Sequence, residues 1–261
     1  MKIYTKEGLI KKLKAIKKLG WIKTQRPGND GAVGNTLEDL LGIEENNLPI
    51  PNAAEWEMKA QRKSTTSLTT LFHMEPSPQG AKIVPQILLP LYGWKHKQAG
   101  GKHHKSEKSF RSTTNAVAHT DRGFIVKVDR KAKTVIYSFD SGKANKKKHG
   151  KWLKAVKKVA GLGEIKPQPY WGFKDLMYKA GSKLKNTFYV LAENKRKGED
   201  EYFRFDEVDV LADFNFEGFL KCIEDGTILI DFDARSKHNH GTKFRIKQDS
   251  WPRLYKECKK V

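Results

Sequence analysis

Cysteine is nearly absent: Cys222 and Cys258 are the only two in 261 residues. Two thiols so far apart in sequence make neither a disulfide framework nor a four-ligand zinc site. The expectation is a pair of buried thiols in a protein of a reducing compartment, the cytoplasm. No run of about 18 apolar residues occurs, and the opening Met-Lys-Ile-Tyr-Thr-Lys-Glu brings charge before any apolar stretch, so neither a signal peptide nor a membrane span is expected. A Gly-rich phosphate loop, a Cys-x-x-Cys pair, a His-Glu-x-x-His motif and internal repeats are also missing, which removes the common signals for nucleotide, zinc and solenoid chemistry. Acidic side chains are in deficit, 30 Asp+Glu against 51 Lys+Arg, for a net charge of +21. That excess makes a polyanion the default partner, nucleic acid before an acidic membrane surface. The 6 Trp, 8 Tyr and 13 Phe with only 10 Pro exclude a disordered basic tail. What remains is a folded basic chain, long enough for one large domain or two small ones.

Local patterns place the elements. Between Thr5 and Gly20, Leu9, Ile10, Leu13 and Ile16 share one helical face, with Thr5 as the cap and Gly20 as the stop. A Gly/Asn/Asp-rich loop (Pro27 to Gly34) leads to a short helix, Leu37 to Leu41, capped by Asn35 or Thr36 and stopped by Gly42. After Pro49 and Pro51, charged or polar residues alternate with Trp56, Met58 and Ala60 from Glu55 to Gln61. This period of two predicts a strand with Glu55, Glu57 and Lys59 on one face and the apolar residues packed on the other. Further strands are expected at Ser67 to His73, Gly123 to Val128, Thr134 to Phe139, Thr187 to Glu193, Glu201 to Phe205, Thr227 to Phe232 and Gly241 to Ile246, the last after a polar loop. Helices and strands mix without regular alternation, so the fold class is α/β or α+β with a mixed sheet flanked by helices. Lysine is concentrated: Lys127 to Lys158 holds twelve Lys and Arg against Asp129 and Asp140, a footprint suited to phosphates or a solvated basic face. Trp94, Trp152 and Trp171 are read as core residues.

Glu57 and Lys59, two apart on one strand face, stand about 6.5–7 Å apart at their roots. A carboxylate that holds a cation beside an ammonium that positions water suits hydrolysis of a phosphodiester, although Glu-x-Lys alone is a weak pattern.

Here the residues resemble a known family, the MvaI/BcnI restriction endonucleases of the PD-(D/E)XK nuclease fold, relatives of the mismatch-repair nicking enzyme MutH. The resemblance rests on Gly34-Asn35-Thr36-Leu37-Glu38-Asp39-Leu40-Leu41-Gly42, Glu45-Asn46-Asn47-Leu48, Glu55-Trp56-Glu57-Met58-Lys59 and Leu68-Thr69-Thr70-Leu71-Phe72-His73. It resumes at His238-Asn239-His240-Gly241-Thr242-Lys243-Phe244-Arg245-Ile246, while Pro76 to Gly181 matches poorly. It implies a magnesium-dependent type II endonuclease that hydrolyses double-stranded DNA to 5′-phosphate and 3′-hydroxyl ends. The enzyme would be a monomeric clamp, with a DNA methyltransferase as its functional partner. The catalytic lobe would take about 1–75 plus part of 120–210, the recognition lobe about 76–119 plus 215–261.

Carried over residue by residue, Glu57 holds the metal, Lys59 orients or activates water, and Glu38 supports the metal shell. The family's metal-binding aspartate falls on Asn52, a departure. Its amide oxygen can ligate a cation more weakly than a carboxylate, Glu55 can supply the missing carboxylate, or the residue leaves a protein that binds without cutting. The preferred reading is a metal site of Asn52, Glu55 and Glu57. Base reading falls to His73, His238, Asn239, His240, Lys243 and Arg245, with Asp231, Asp233 and Arg235 as extra readers or supports. The alternatives are a nicking or modified-base-dependent nuclease and a basic DNA-binding protein whose metal site has decayed.

Overall fold

A computed structural model describes residues 5–29, 31–42, 56–63 and 65–261. In chain order it contains α1 (Lys6–Lys18), β1 (Ile22–Lys23), α2 (Ala32–Leu41), β2 (Glu57–Arg62), β3 (Thr69–His73), a π-helix (Ile83–Tyr92), β4 (Trp94–Lys95) and β5 (Lys108–Thr114). There follow β6 (Phe124–Asp129), β7 (Thr134–Phe139), α3 (Lys146–Val159), β8 (Tyr170–Gly172), α4 (Phe173–Leu184), β9 (Asn186–Lys197) and β10 (Asp200–Phe214). The chain closes with α5 (Phe216–Glu224), β11 (Ile228–Arg235), β12 (His238–Ile246) and β13 (Tyr255–Lys260). The mixed α+β class expected from the sequence is what is found. Two compact units divide the chain, one of residues 1–69, 180–216 and 248–261, the other of 70–179 and 217–247. Among the described residues no helix is long and apolar enough to cross a membrane.

In the first unit the sheet runs β1-β10-β9-β2, with β13 also on β10. Strand β2 lies parallel to β9, pairing Glu57 with Thr187 and Lys59 with Tyr189. Strands β9 and β10 form an antiparallel pair with a bulge between Phe205 and Glu207. The bulge shifts the parity of the strand by one, which is why Phe203 and Phe205 before it and Val208 and Val210 after it all enter the same core. Helices α1 and α2 cover that face with Leu9, Leu13, Ile16, Val33, Leu37 and Leu41, meeting Trp56 and Met58 of the β2 segment. The expectation that Trp56 and Met58 pack rather than stack on bases therefore holds.

Local signals account for the helix ends. Thr5 accepts a hydrogen bond from the Gly8 N–H at 3.1 Å, and Gly20, at φ +70°, takes the left-handed position expected after the last turn of α1. Gly42 ends α2 in the same way at φ +66°. The start of α2 is corrected: it begins at Ala32, so Asn35 and Thr36 lie inside it, where the Thr36 hydroxyl donates back to the Ala32 carbonyl at 2.7 Å. A side chain that bonds backward along the helix in this way leaves no cap signature in sequence.

The second unit holds a sheet of order β3-β12-β11-β5-β4 and a three-stranded sheet β6-β7-β8. The hairpin β6–β7 is antiparallel, as its sequence predicts. Alternation on β11 is strict: Ile228, Ile230, Phe232 and Ala234 are buried, whereas Leu229, Asp231, Asp233 and Arg235 are half-buried on the other side. The buried side meets an aromatic layer in which Phe110, Phe124, Tyr137 and Phe232 lie with ring centroids 4.6 to 6.4 Å apart. Trp171 is fully buried and packs edge-on against Phe244, while Trp94 and Trp152 are half-buried and both face the Arg122 guanidinium. Of the two thiols expected in the core only Cys222 is buried. Cys258 is exposed because β13 buries little beyond Tyr255.

Candidate active site

The sheet face opposite Trp56 and Met58 carries Glu57 and Lys59. Glu57 is 4% exposed, and its Oε1 lies 2.8 Å from the Lys59 ammonium. Its other oxygen, Oε2, is buried and has no hydrogen-bond partner among the described residues. A carboxylate oxygen out of water and without a donor costs about 1–3 kcal/mol or more. A hard cation would relieve that cost, because magnesium and calcium take carboxylate oxygens as ligands. Thr187 stands across from Glu57 on β9, and its hydroxyl and the Tyr255 hydroxyl are 2.6 Å apart. Burial pushes the Tyr255 phenol well above its ordinary range, the Thr187 hydrogen bond offsets part of this, and the charge of Glu57 adds to it. Tyr255 is therefore a neutral wall of this face.

Gln61 continues the face. Its amide donates to the Ser67 carbonyl at 2.9 Å, while its oxygen accepts from Tyr189 at 3.1 Å and from the Thr69 hydroxyl. Tyr189 stacks on Trp251 at 5.1 Å. Glu38 is half-buried on α2, the helix whose apolar residues pack with Met58. Asn52 and Glu55 lie outside the described residues. Among the described residues no group of three or more His, Cys, Asp or Glu is arranged to hold a metal ion. Glu57 with its unpartnered oxygen is thus the described group that fits one.

In the second unit three of the expected readers, Arg235, Lys243 and Arg245, lie with Asp231 and Asp233 on adjacent strands. Asp231 accepts from Thr113 at 2.9 Å and from Arg245 at 3.2 Å. Asp233 lies 2.9 Å from Arg111 Nε and 3.4 Å from Lys243 Nζ. Arg235 donates to Glu107 at 3.2 Å. Each cation is thereby held by a carboxylate from the same face.

His238 and His240 are exposed, their rings near parallel with centroids 6.4 Å apart. The polar loop expected before Gly241 is corrected: β12 begins at His238, which pairs with Arg235 across a turn of only Ser236 and Lys237. Lys237 takes φ +65°, a left-handed backbone that a lysine does not advertise. Asn239 and Thr242 are gathered by Glu75. One Glu75 oxygen accepts from Asn239 Nδ2 at 3.2 Å and the Thr242 N–H at 3.0 Å, and the other accepts from the Thr242 hydroxyl at 3.1 Å. Gly241, at φ +83°, lets the strand approach His73: a Cβ there would sit 3.1 Å from the His73 ring.

The sequence profile of the MvaI/BcnI restriction endonuclease family matches residues 10–255. The chain belongs to the MvaI/BcnI restriction endonuclease family. It is accordingly a site-specific deoxyribonuclease by class. Two solved structures are similar to it. The restriction endonuclease MvaI in complex with its cognate DNA substrate is 24% identical, with a TM-score of 0.75 over 97% of this chain and 96% of that one. MvaI in the absence of DNA is 24% identical, with a TM-score of 0.54 over the whole of both chains. No curated protein matches the chain.

In this second unit Glu75, Glu107, Arg111 and Thr113 escaped the sequence reading. Glu107, Arg111 and Thr113 come from the stretch that matches the family poorly, Glu75 stands just before it, and only pairing in three dimensions finds them. Arg111 and Thr113 stand directly across β5 from Asp233 and Asp231, a cross-strand relationship that needs the register of β5 on β11. The one available signal was the alternation of Phe110, Ser112 and Thr114 with Arg111 and Thr113.

Proposed function

We propose that the chain is a type II restriction endonuclease acting on double-stranded DNA, with magnesium as cofactor and 5′-phosphate and 3′-hydroxyl ends as products. The observation that carries this reading is the buried Glu57 carboxylate, salt-bridged to Lys59 through one oxygen and without a partner among the described residues on the other. Glu57, with Asn52 and Glu55, would hold the magnesium ion, which supplies charge neutralisation at the scissile phosphate. Lys59, beside Glu57, presents its ammonium to the attacking water or a phosphate oxygen. Glu38 supports the metal shell. Tyr255 and Thr187 keep the wall next to Glu57 uncharged.

Recognition falls to the second unit and cleavage to the first. A guanidinium tethered by a carboxylate presents its remaining N–H groups in a fixed fork, the geometry that reads guanine O6 and N7. Arg235 and Arg245 are arranged so, Lys243 is tethered as a point charge, and His73, His238, Asn239 and His240 add shorter donors and acceptors. The similar MvaI structure holds its cognate DNA, which supports DNA as the substrate here. The enzyme acts as a monomer in the cytoplasm, and a cognate methyltransferase protects the host's own sites.

Digestion of unmethylated phage-sized DNA with and without magnesium, followed by end sequencing, tests this. Discrete magnesium-dependent fragments with 5′-phosphates are expected from the wild type and none from Glu57→Ala or Lys59→Ala. Fragments from methylated DNA alone would replace ordinary restriction by modification-dependent cleavage, and single-strand nicks would make it a nicking enzyme. Binding without cleavage that an Asn52→Asp variant converts to cleavage would mark a decayed metal site.

A further inference from the structure

The lysine-rich stretch from Lys127 to Lys158 is not used by either the catalytic strand or the reading face. Ion pairs occupy three of its cations: Lys127 lies 3.6 Å from Glu164, Arg130 is bound by Glu217 and Glu224, and Lys148 is bound by Asp121. Lys146, Lys147, Lys151, Lys154, Lys157 and Lys158, all on α3, are exposed and have no ion pair among the described residues. The contrast with the reading face is physical. There each cation is tethered to a carboxylate, which suits directional hydrogen bonds to base edges. These six ammonium groups on α3 are exposed and have no ion pair among the described residues, which suits the diffuse field of a phosphate backbone.

Helix geometry arranges them. His149 leaves the helical conformation at φ −126° and ψ 16°, so the turns after it form one continuous stretch. Lys151, Lys154 and Lys158 follow at i, i+3 and i+7 on one face, spanning about 10 Å along the axis, or roughly three phosphate steps of one DNA strand. Lys151 and Lys154, with Lys157, His149 and Leu162, line an open groove of about 760 Å³. A basic amphipathic helix can also lie on an acidic membrane, but only with an apolar face free to insert. On α3 that face is already used: Leu153 and Val156 are buried, and Trp152 donates to the Tyr92 carbonyl at 2.9 Å among the rings of Phe124 and Phe139.

We infer that α3 is a second DNA-binding surface, blind to sequence, that holds the phosphate backbone of duplex outside the recognised base pairs. The inference rests on the reading of the protein as a DNA endonuclease only for choosing DNA among polyanions. The placement of α3 separates it from the readers. Its Trp152 packs with Phe124 and Phe139 of the aromatic layer, which lies on the side of β11 opposite Asp231, Asp233 and Arg235. The face that reads bases and the helix that holds backbone therefore lie on opposite sides of β11.

The test replaces Lys151, Lys154 and Lys158 together by Gln in the full chain, exposed changes whose folding is checked by thermal melting. Affinity for a long duplex without the recognition site is measured in the absence of divalent metal across a salt series. The variant's plot of log K against log salt is expected to be shallower by up to about 2.7, with affinity at least about tenfold lower at 0.1 M salt. Cleavage of a site within long DNA should slow, while cleavage of a short duplex that just covers the site should not. An unchanged slope with normal short-duplex cleavage overturns the inference and leaves the endonuclease reading standing. A shifted slope in a protein that cleaves nothing supports α3 and removes that reading instead. Loss of binding to phosphatidylserine vesicles with an unchanged DNA slope also overturns it, in favour of a membrane surface.

Discussion

Arg62 donates from Nε and from one terminal nitrogen to the same oxygen of Glu201, at 3.2 and 3.0 Å, and so ties the end of the catalytic strand to β10. The second Glu201 oxygen accepts from the Gly28 N–H at 3.1 Å, and Arg62 also donates to the Asn29 carbonyl at 3.1 Å. One carboxylate, 1% exposed, thus joins β2, β10 and the loop that leads into α2. Removing one partner of a buried pair strands the other charge. Glu201→Ala should lose about 3–5 kcal/mol of stability by urea unfolding. A loss under about 1 kcal/mol would show that the guanidinium finds water or another acceptor.

In the proposed reading magnesium binds the Glu57 oxygen that has no partner among the described residues, and so stabilises the fold. A cation that binds only the folded state adds RT ln(1 + [L]/Kd), about 1.4 kcal/mol at ten times Kd. Melting of the wild type should therefore move up with magnesium, and that of Glu57→Gln should not. Equal shifts in both would place the ion elsewhere.

Glu75 touches no base in the proposed reading, yet it fixes the segment that does. Glu75→Ala frees Asn239 and Thr242, and the ratio of cleavage at the true site to that at a one-base mismatch should fall about tenfold, within the usual 1–3 kcal/mol for a base contact. Glu75→Gln keeps an oxygen for Asn239 and the Thr242 N–H and should restore most of the ratio. A uniform loss of rate at both sites, with the ratio intact, would reduce Glu75 to a structural prop.

Arg130 grips α5 twice, meeting Glu217 at 2.8 Å and Glu224 at 2.7 Å. Its hydrogen bonds hold the Glu217 carboxyl below the usual carboxylate range. A depressed folded value means stability that is present above the ordinary glutamate range and lost as pH falls through the lowered one. Melting temperature should fall more steeply for the wild type than for Arg130→Ala between about pH 6 and 3. The difference should shrink in high salt, since the groups are exposed.

Much of this was legible in the chain. Thr5, Gly20 and Gly42 mark helix ends by side-chain capping and left-handed backbone, both local effects. The alternation around Glu57, Met58 and Lys59 separates a polar face from a packed one, and β6 and β7 follow from the same period. What escaped depends on distant partners. Ile83 to Tyr92 is a nearly unbroken apolar run and carries no period that betrays a π-helix. The full length of β9 and β10 runs through charged residues such as Lys195, Arg196 and Asp200, whose strand state is stabilised by pairing across the sheet. The hold of Glu75 on Thr242 joins residues 167 apart and has no trace in either neighbourhood. For the candidate site, strand spacing put Glu57 and Lys59 side by side and the family resemblance gave them roles, but the buried Glu57 oxygen and the Tyr255 wall had no trace in sequence.

Strand β13 pairs with β10, and Tyr255 meets Thr187 across from Glu57, while Trp251 stacks on Tyr189 beside it. Both residues belong to the segment 248–261, which returns to the first unit after the chain has passed through the second. In the proposed reading, a chain cut short before Gln248 keeps every residue of the reading turn and loses the wall beside Glu57.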